Sequence, residues 1–203
     1  MASQYGRQID HSLGSPMENL KNYIEQYLVE TEKICKTIDQ NAIEKTINLL
    51  EDLRKRKGRL FVLGVGGSAG NASHAVNDFR KIAGIETYAP SDNVSELTAR
   101  VNDESGEVVF KSWLTTSQLS SNDCLLVFSV GGGSATTSLN LVRAMEYGKK
   151  QGAKILSIVS RTGGSAREMS DVCILVPVVN EKHITPHAEG WQGVVWHMIV
   201  NAL

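Results

Sequence analysis

Twice along this chain a short, unbroken apolar run ends in a glycine-rich turn and passes straight into an amphipathic segment. Leu60 to Leu63 leads into Gly64-Val65-Gly66-Gly67-Ser68, and Cys124 to Phe128 leads into Ser129-Val130-Gly131-Gly132-Gly133-Ser134. Runs without polar alternation suit strands buried on both faces, and such strands occur in parallel sheets covered by helices. The pattern predicts strands at 60–64, 86–89, 124–129, 154–160 and 172–177. Helices are predicted at 68–83, 134–152 and 165–170, with a last one after Pro186. The fold class is therefore α/β, a doubly wound parallel five-stranded sheet between two helical layers.

Two helices precede the first strand. Pro16 opens one, with Leu20, Ile24, Tyr27, Leu28, Ile34 and Ile38 near helical spacing; a second begins near Asp39 and carries Ile43, Ile47, Leu50 and Leu53 on one face. The chain then divides into a flexible arm at 1–15 and one domain at 16–203, made of a helical hairpin (16–57) and the αβα core (58–203). Such a hairpin must cover either the sheet or another subunit, and oligomerisation is the favoured reading. Lysine plus arginine count 21 against 22 acidic residues, which leaves no basic field for direct nucleic-acid binding. A polar beginning and the lack of an apolar run of about 18 residues argue against a leader or a membrane span and for a cytoplasmic protein. Cys35, Cys124 and Cys173 form no CxxC pair.

Glycines let a ligand approach the backbone, and the free amides and dipole at a helix start favour an anion, so both loops suit phosphate. A rival is dinucleotide binding, because residues 64–69 satisfy GxGxxA with Glu86 downstream. Glu86 opens the second strand, however, whereas a ribose-binding acid belongs at its far end, and the second loop would go unused.

His74 and Asp78 are four residues apart on the helix after the first loop, so they share a face about 6 Å apart along the axis. On the last helix Glu189 and His197 are eight apart, about 80° around and about 12 Å along, a gap that long side chains can bridge. Gln192 lies about 140° from His197 and should face elsewhere. His183 and His187 flank Pro186 in a predicted loop and read as exposed or structural, with His187 able to line the mouth of a site. Trp113, Trp191 and Trp196 read as packing or interface residues.

The helical hairpin, Gly66-Gly67-Ser68, Asn102-Asp103, the loop from Ser129 to Ser134 and the final helix together resemble the sugar isomerase (SIS) domain, within it the sedoheptulose-7-phosphate (phosphoheptose) isomerases. The resemblance implies a flavodoxin-like αβα sandwich and ketose–aldose isomerisation of a seven-carbon sugar phosphate, serving bacterial heptose synthesis for surface polysaccharide. It places the substrate phosphate on Gly66, Gly67, Ser68, Ser129, Gly131, Gly132 and Ser134, and sugar hydroxyls on Asn102 and Asp103. Zinc, in the members that hold it, would sit on His74, Asp78, Glu189 and His197. Asp78 or Glu189 would be the carbon base and His197 the acid, in homotetramers whose sites lie between chains. The chain departs from the family at Val65, where asparagine is usual, and at Val130, Gly131 and Gly133, where hydroxyls are lost. Asp78 and Glu189 stand where glutamate and glutamine are usual. These departures keep a second reading open, a non-catalytic SIS module acting as a sugar-phosphate regulator or binding a replication initiator.

Overall fold

The computed structural model describes residues 16–203, so the arm expected at 1–15 lies outside the described residues. In chain order the elements are α1 (Pro16–Thr37), α2 (Gln40–Lys55), β1 (Leu60–Leu63), α3 (Gly67–Lys81), β2 (Thr87–Tyr88), α4 (Val94–Asp103), α5 (Val109–Thr116) and β3 (Cys124–Phe128). They continue with α6 (Leu139–Gln151), β4 (Lys154–Val159), α7 (Gly164–Met169), β5 (Val172–Leu175), a 3-10 turn at Glu181–His183 and α8 (Ile184–Ala202). The strands form one parallel sheet in the order β2-β1-β3-β4-β5, as the apolar runs predict.

Alternate strand residues feed two cores. Leu60, Val62, Leu126, Phe128 and Ile158 pack with α2, α3 and α8 through Leu50, Leu53, Ala72, Phe79, Val195 and Ile199. Phe61, Leu63, Leu125, Val127 and Ile155 pack with α5, α6 and α7 through Phe110, Leu114, Leu141, Met145 and Ala166. The α2 helix starts where the sequence places it, because the Asp39 carboxylate accepts from the amides of Asn41 and Ala42. Burial pushes the Cys124 thiol up, which makes it an inert part of the core. Among the described residues no helix is long and apolar enough to cross a membrane.

Three expectations are corrected. The segment 90–123 holds α4 and α5, which the pattern leaves unassigned; both are short, 10 and 8 residues, and α4 buries no residue. The helix predicted from Ser134 begins at Leu139, because Ser134 accepts from the amides of Thr136 and Thr137 and closes a separate turn. The last helix starts ahead of Pro186, which sits in its first turn where a missing N–H costs nothing. His187 is therefore helical and buried rather than in a loop.

The hairpin is attached unevenly. Of the α1 residues with described burial only Glu30 and Ile34 are buried, while Leu20, Tyr23, Ile24, Leu28 and Val29 stand exposed. Burial would push the Glu30 carboxyl up, yet hydrogen bonds from Asn180, His183, His187 and Gln26 bring it down to about 2.

At the amino-terminal edge of the sheet the buried Asp123 accepts from the Arg59 guanidinium at 3.0 and 2.8 Å, from the Arg59 amide at 3.1 Å and from the Ser120 amide at 2.9 Å. Burial opposes the charge, and the bonds from Arg59 and Ser120 outweigh it, so the carboxyl is held below its usual range. A depressed folded value stabilises above the unfolded pKa, near 3.9, and the contribution fades as pH falls through the lower folded value. Asp123→Asn should therefore cost about 2 kcal/mol or more at neutral pH. Thermal melts followed by circular dichroism should show the gap to wild type narrowing below about pH 4.

Candidate functional site

The strand order reverses between β1 and β3, and their register pairs Leu63 with Val127, so the two glycine loops leave the sheet side by side. In the first loop a side chain at Gly64 would stand 2.2 Å from the Ser68 carbonyl oxygen, and Gly66 holds φ +64°. Helix α3 opens at Gly67 without a side-chain cap, which leaves its first amides at the positive end of the dipole. A carboxylate already faces them. The Glu189 oxygens lie 2.5 and 2.6 Å from where a Cβ on Gly67 would stand, so a side chain there would displace that carboxylate.

Ser68 is buried and its hydroxyl accepts from Gln192 Nε2 at 3.1 Å, while Asn71 donates to Gln192 Oε1 and to the Glu189 carbonyl. Gln192 thus faces away from His197, as its helical angle predicts, and it ties α8 to the start of α3. The Ser68 hydroxyl is turned toward α8, whereas Gly66 and Gly67 stay exposed at the loop mouth.

The second loop is built differently from the first. The Ser129 hydroxyl accepts from the Gly132 amide at 3.0 Å, and the Ser134 hydroxyl accepts from the amides of its own turn; neither O–H has an acceptor among the described residues. The carbonyls of Gly132 and Gly133 accept from Ala166 and Ser165 at 2.9 and 3.0 Å, and Ser160 donates to the Val130 carbonyl. This seam welds the loop to residues 160–166. With the carbonyls turned into the seam, the amides of Val130, Gly131 and Gly133 make no hydrogen bond among the described residues. Arg161, exposed and at φ +56°, runs beside Gly131, its Cδ 3.9 Å from where a Gly131 Cβ would stand. Residue-by-residue reading missed Arg161, because nothing local announces that the β4 turn will reach the second loop.

The α3 and α8 faces bring His74, Asp78 and His197 together. Asp78 Oδ2 is 3.5 Å from His74 Nε2 and 3.3 Å from His197 Nε2, and the three ligand atoms fit one small sphere. Asp78 is 5% exposed and pinned, accepting from Trp196 Nε1 on Oδ2 at 3.2 Å and from Asn77 on Oδ1 at 3.0 Å. The imidazoles are the accessible members, their side chains 56% and 47% exposed. His197 Nδ1 lies 2.7 Å from the Gly193 carbonyl, which requires a proton there and turns Nε2 toward the carboxylate. Two nitrogens converging on one carboxylate oxygen form a donor set able to share a proton or a metal cation.

Glu189, the fourth residue of the expected set, is not in this group; its carboxylate rests over Gly67 instead. Asn102 and Asp103 lie on the exposed last turn of α4 and bond to each other at 2.7 Å. Trp196, expected only to pack, donates to Asp78 and lies against both imidazoles, at ring separations of 5.3 and 4.7 Å.

A family profile described as the SIS domain matches residues 22–160. The chain is 28% identical over 171 residues to a phosphoheptose isomerase of Helicobacter pylori, covering 78% of this chain and 86% of that protein. It is also 28% identical over 171 residues to a probable phosphoheptose isomerase of Thermoplasma volcanium, covering 79% and 85%. Among solved structures, the phosphoheptose isomerase from Neisseria gonorrhoeae aligns with a TM-score of 0.79 at 19% identity, covering 93% of this chain and 98% of that one. Likeness at that identity speaks for the fold.

The loop seam is testable by one methyl group. A Cβ at Gly132 would lie 1.8 Å from the Gly163 carbonyl oxygen at φ +76°, whereas at Gly131 the nearest atom is 3.9 Å away. Gly132→Ala should lower stability by about 2 kcal/mol or more, and Gly131→Ala by less than about 1 kcal/mol. Denaturant titration of both variants makes the comparison.

Proposed function

Because the chain belongs to the SIS domain family, we propose that it is a phosphosugar isomerase interconverting sedoheptulose 7-phosphate, or a close analogue, with its aldose. The observation that carries this reading is the convergence of Asp78 with two accessible imidazoles beside two amide-lined loops at the sheet's switch point. The names of the relatives support the substrate class.

The phosphate docks on the second loop. Its amides at Val130, Gly131 and Gly133 have no partner among the described residues, and the Arg161 guanidinium replaces the hydroxyls this loop lacks. The first loop is the poorer phosphate site, because Glu189 already places a negative charge over Gly67. Isomerisation removes a proton beside a carbonyl, stabilises an enediolate and returns the proton to the neighbouring carbon. The carbon base is Asp78 or Glu189: Asp78 faces both imidazoles, whereas Glu189 lies over Gly67 outside that group. His197 moves the proton on oxygen, its ring oriented by Gly193. Asn102 and Asp103 remain candidates for the sugar hydroxyls, reached at the end of α4.

His74, Asp78 and His197 also suit zinc, which takes two imidazoles and a carboxylate with one position open. Bound there, the ion would polarise the sugar carbonyl. The exposed apolar stripe on α1 is the proposed contact with further copies in a homotetramer. Three free cysteines support a cytoplasmic setting.

Incubation with sedoheptulose 7-phosphate, followed by NMR, should show an aldose resonance growing. Ligand binding without turnover would assign the chain to the regulatory reading instead. His197→Ala should lower kcat by about 100-fold or more while leaving sugar-phosphate Kd within a few-fold; an equal loss of both would make His197 a structural residue. Arg161→Ala should raise KM by about 10-fold with kcat little changed. An unchanged KM would remove the guanidinium from the phosphate site.

A further inference from the structure

A second side-chain cluster lies where α1 meets the start of α8, and it shares no residue with the His74–Asp78–His197 group. Glu30 of α1 is 7% exposed. Its Oε2 lies 2.7 Å from His183 Nδ1 and 2.8 Å from His187 Nε2, and the three atoms fall within 4.8 Å of one another. We propose that Glu30, His183 and His187 form a structural site for a zinc-like divalent cation that clips α1 to α8.

Two imidazoles and one carboxylate form a donor set suited to such a cation, and the surroundings have the outer layer that metal ligands need. Glu30 Oε1 is held by Gln26 Nε2 at 2.9 Å and Asn180 Nδ2 at 2.6 Å, which fixes the carboxylate with Oε2 toward the rings. Asn180 is itself oriented, its Oδ1 accepting from the Lys182 amide. The Tyr27 ring stacks on His187 at 4.5 Å, and the Tyr23 ring meets His183 edge-on at 5.7 Å. Both imidazoles are thereby fixed in plane as well as in position.

The present oxygen–nitrogen separations are those of hydrogen bonds. A tetrahedral ion with bonds of about 2.0–2.1 Å spreads its ligands to about 3.3 Å, so the rings need to open by only about half an ångström. The ion takes the place of the N–H protons that now join the rings to Oε2: each ring binds through that nitrogen as neutral imidazole with its proton on the other nitrogen, and an imidazolium releases its second proton to solvent. The fourth position goes to water at the His183 side, where the cluster is most exposed.

The need for such a clip is visible in α1 itself. Glu30 and Ile34 are its buried residues among those with described burial, so most of this 22-residue helix gains little from the core. A cross-link between Glu30 and His187, 157 positions apart, holds the helix at the angle from which its apolar stripe can be presented.

The test uses the full chain carrying His74→Ala and His197→Ala, which removes the other candidate site, after chelation and dialysis. Titrated with Zn2+ alone, it should bind one equivalent per chain by calorimetry and elemental analysis, and its Tm should rise by several degrees. Adding Glu30→Gln, which keeps the shape and most hydrogen bonds, should abolish both the equivalent and the shift. Should Glu30→Gln fail to fold, His183→Ala at the exposed rim makes the same comparison. No bound zinc in the double variant, or an unchanged stoichiometry after either third substitution, would overturn the proposal and leave a hydrogen-bonded latch.

Discussion

The in-register pairing of β1 with β3 is the constraint on which the rest of this molecule depends. With Leu63 opposite Val127, both strands end at one level, and the chain leaves them toward opposite faces of the sheet. A crevice opens there because nothing crosses between the two departing chains. A one-residue slip would turn each strand's side chains to the wrong core, so the two apolar layers that stabilise the fold also set the spacing of the loops.

Within that crevice the two loops divide the electrostatic work. At the first, a carboxylate of the protein itself, Glu189, lies over Gly67 at the start of α3. The second turns its carbonyls into the seam with residues 160–166, leaving amides and Arg161 as the groups that attract an anion. On the proposed reading, a phosphorylated sugar held at the second loop extends toward α3 and α8. There the accessible imidazoles stand in front of a carboxylate that is itself immobilised by Trp196 and Asn77. Charge is thus arranged along the groove by side chains whose own partners are fixed, which spares the site reorganisation during reaction.

How much of this was legible follows from the range of the interactions involved. The five strands and the first loop were readable because continuous apolar runs and glycines at helix starts are local signals. The pairing of His74 with Asp78 was readable too, since a four-residue step along a helix fixes a shared face. Helical geometry paired His197 with Glu189 rather than Gln192, but the structure joins His197 to Asp78 and leaves Glu189 over Gly67. What escaped the sequence was long-range. Arg161 reaches Gly131 through a turn on another strand, and Glu189 of α8 lies over Gly67 at the start of α3. Glu30 lies about 150 positions from its histidine partners, and on its own helix it looks like one more solvated acid.

That last pairing shows how α8 serves both ends of the molecule. Its first turn holds His187 against α1, its next residues place Glu189 and Gln192 at the start of α3, and two turns later His197 completes the cluster with Asp78. One rigid helix therefore fixes the hairpin and the candidate site to a single frame. Any displacement of α1 that drew on Glu30 would load the same helix that orients His197, so the position of α1 and the geometry of the imidazoles are mechanically joined. The stacking of Tyr27 on His187 and of Trp196 beside His197 stiffens the two ends of that lever, and the hydrogen bond from Asn71 to Gln192 braces its middle.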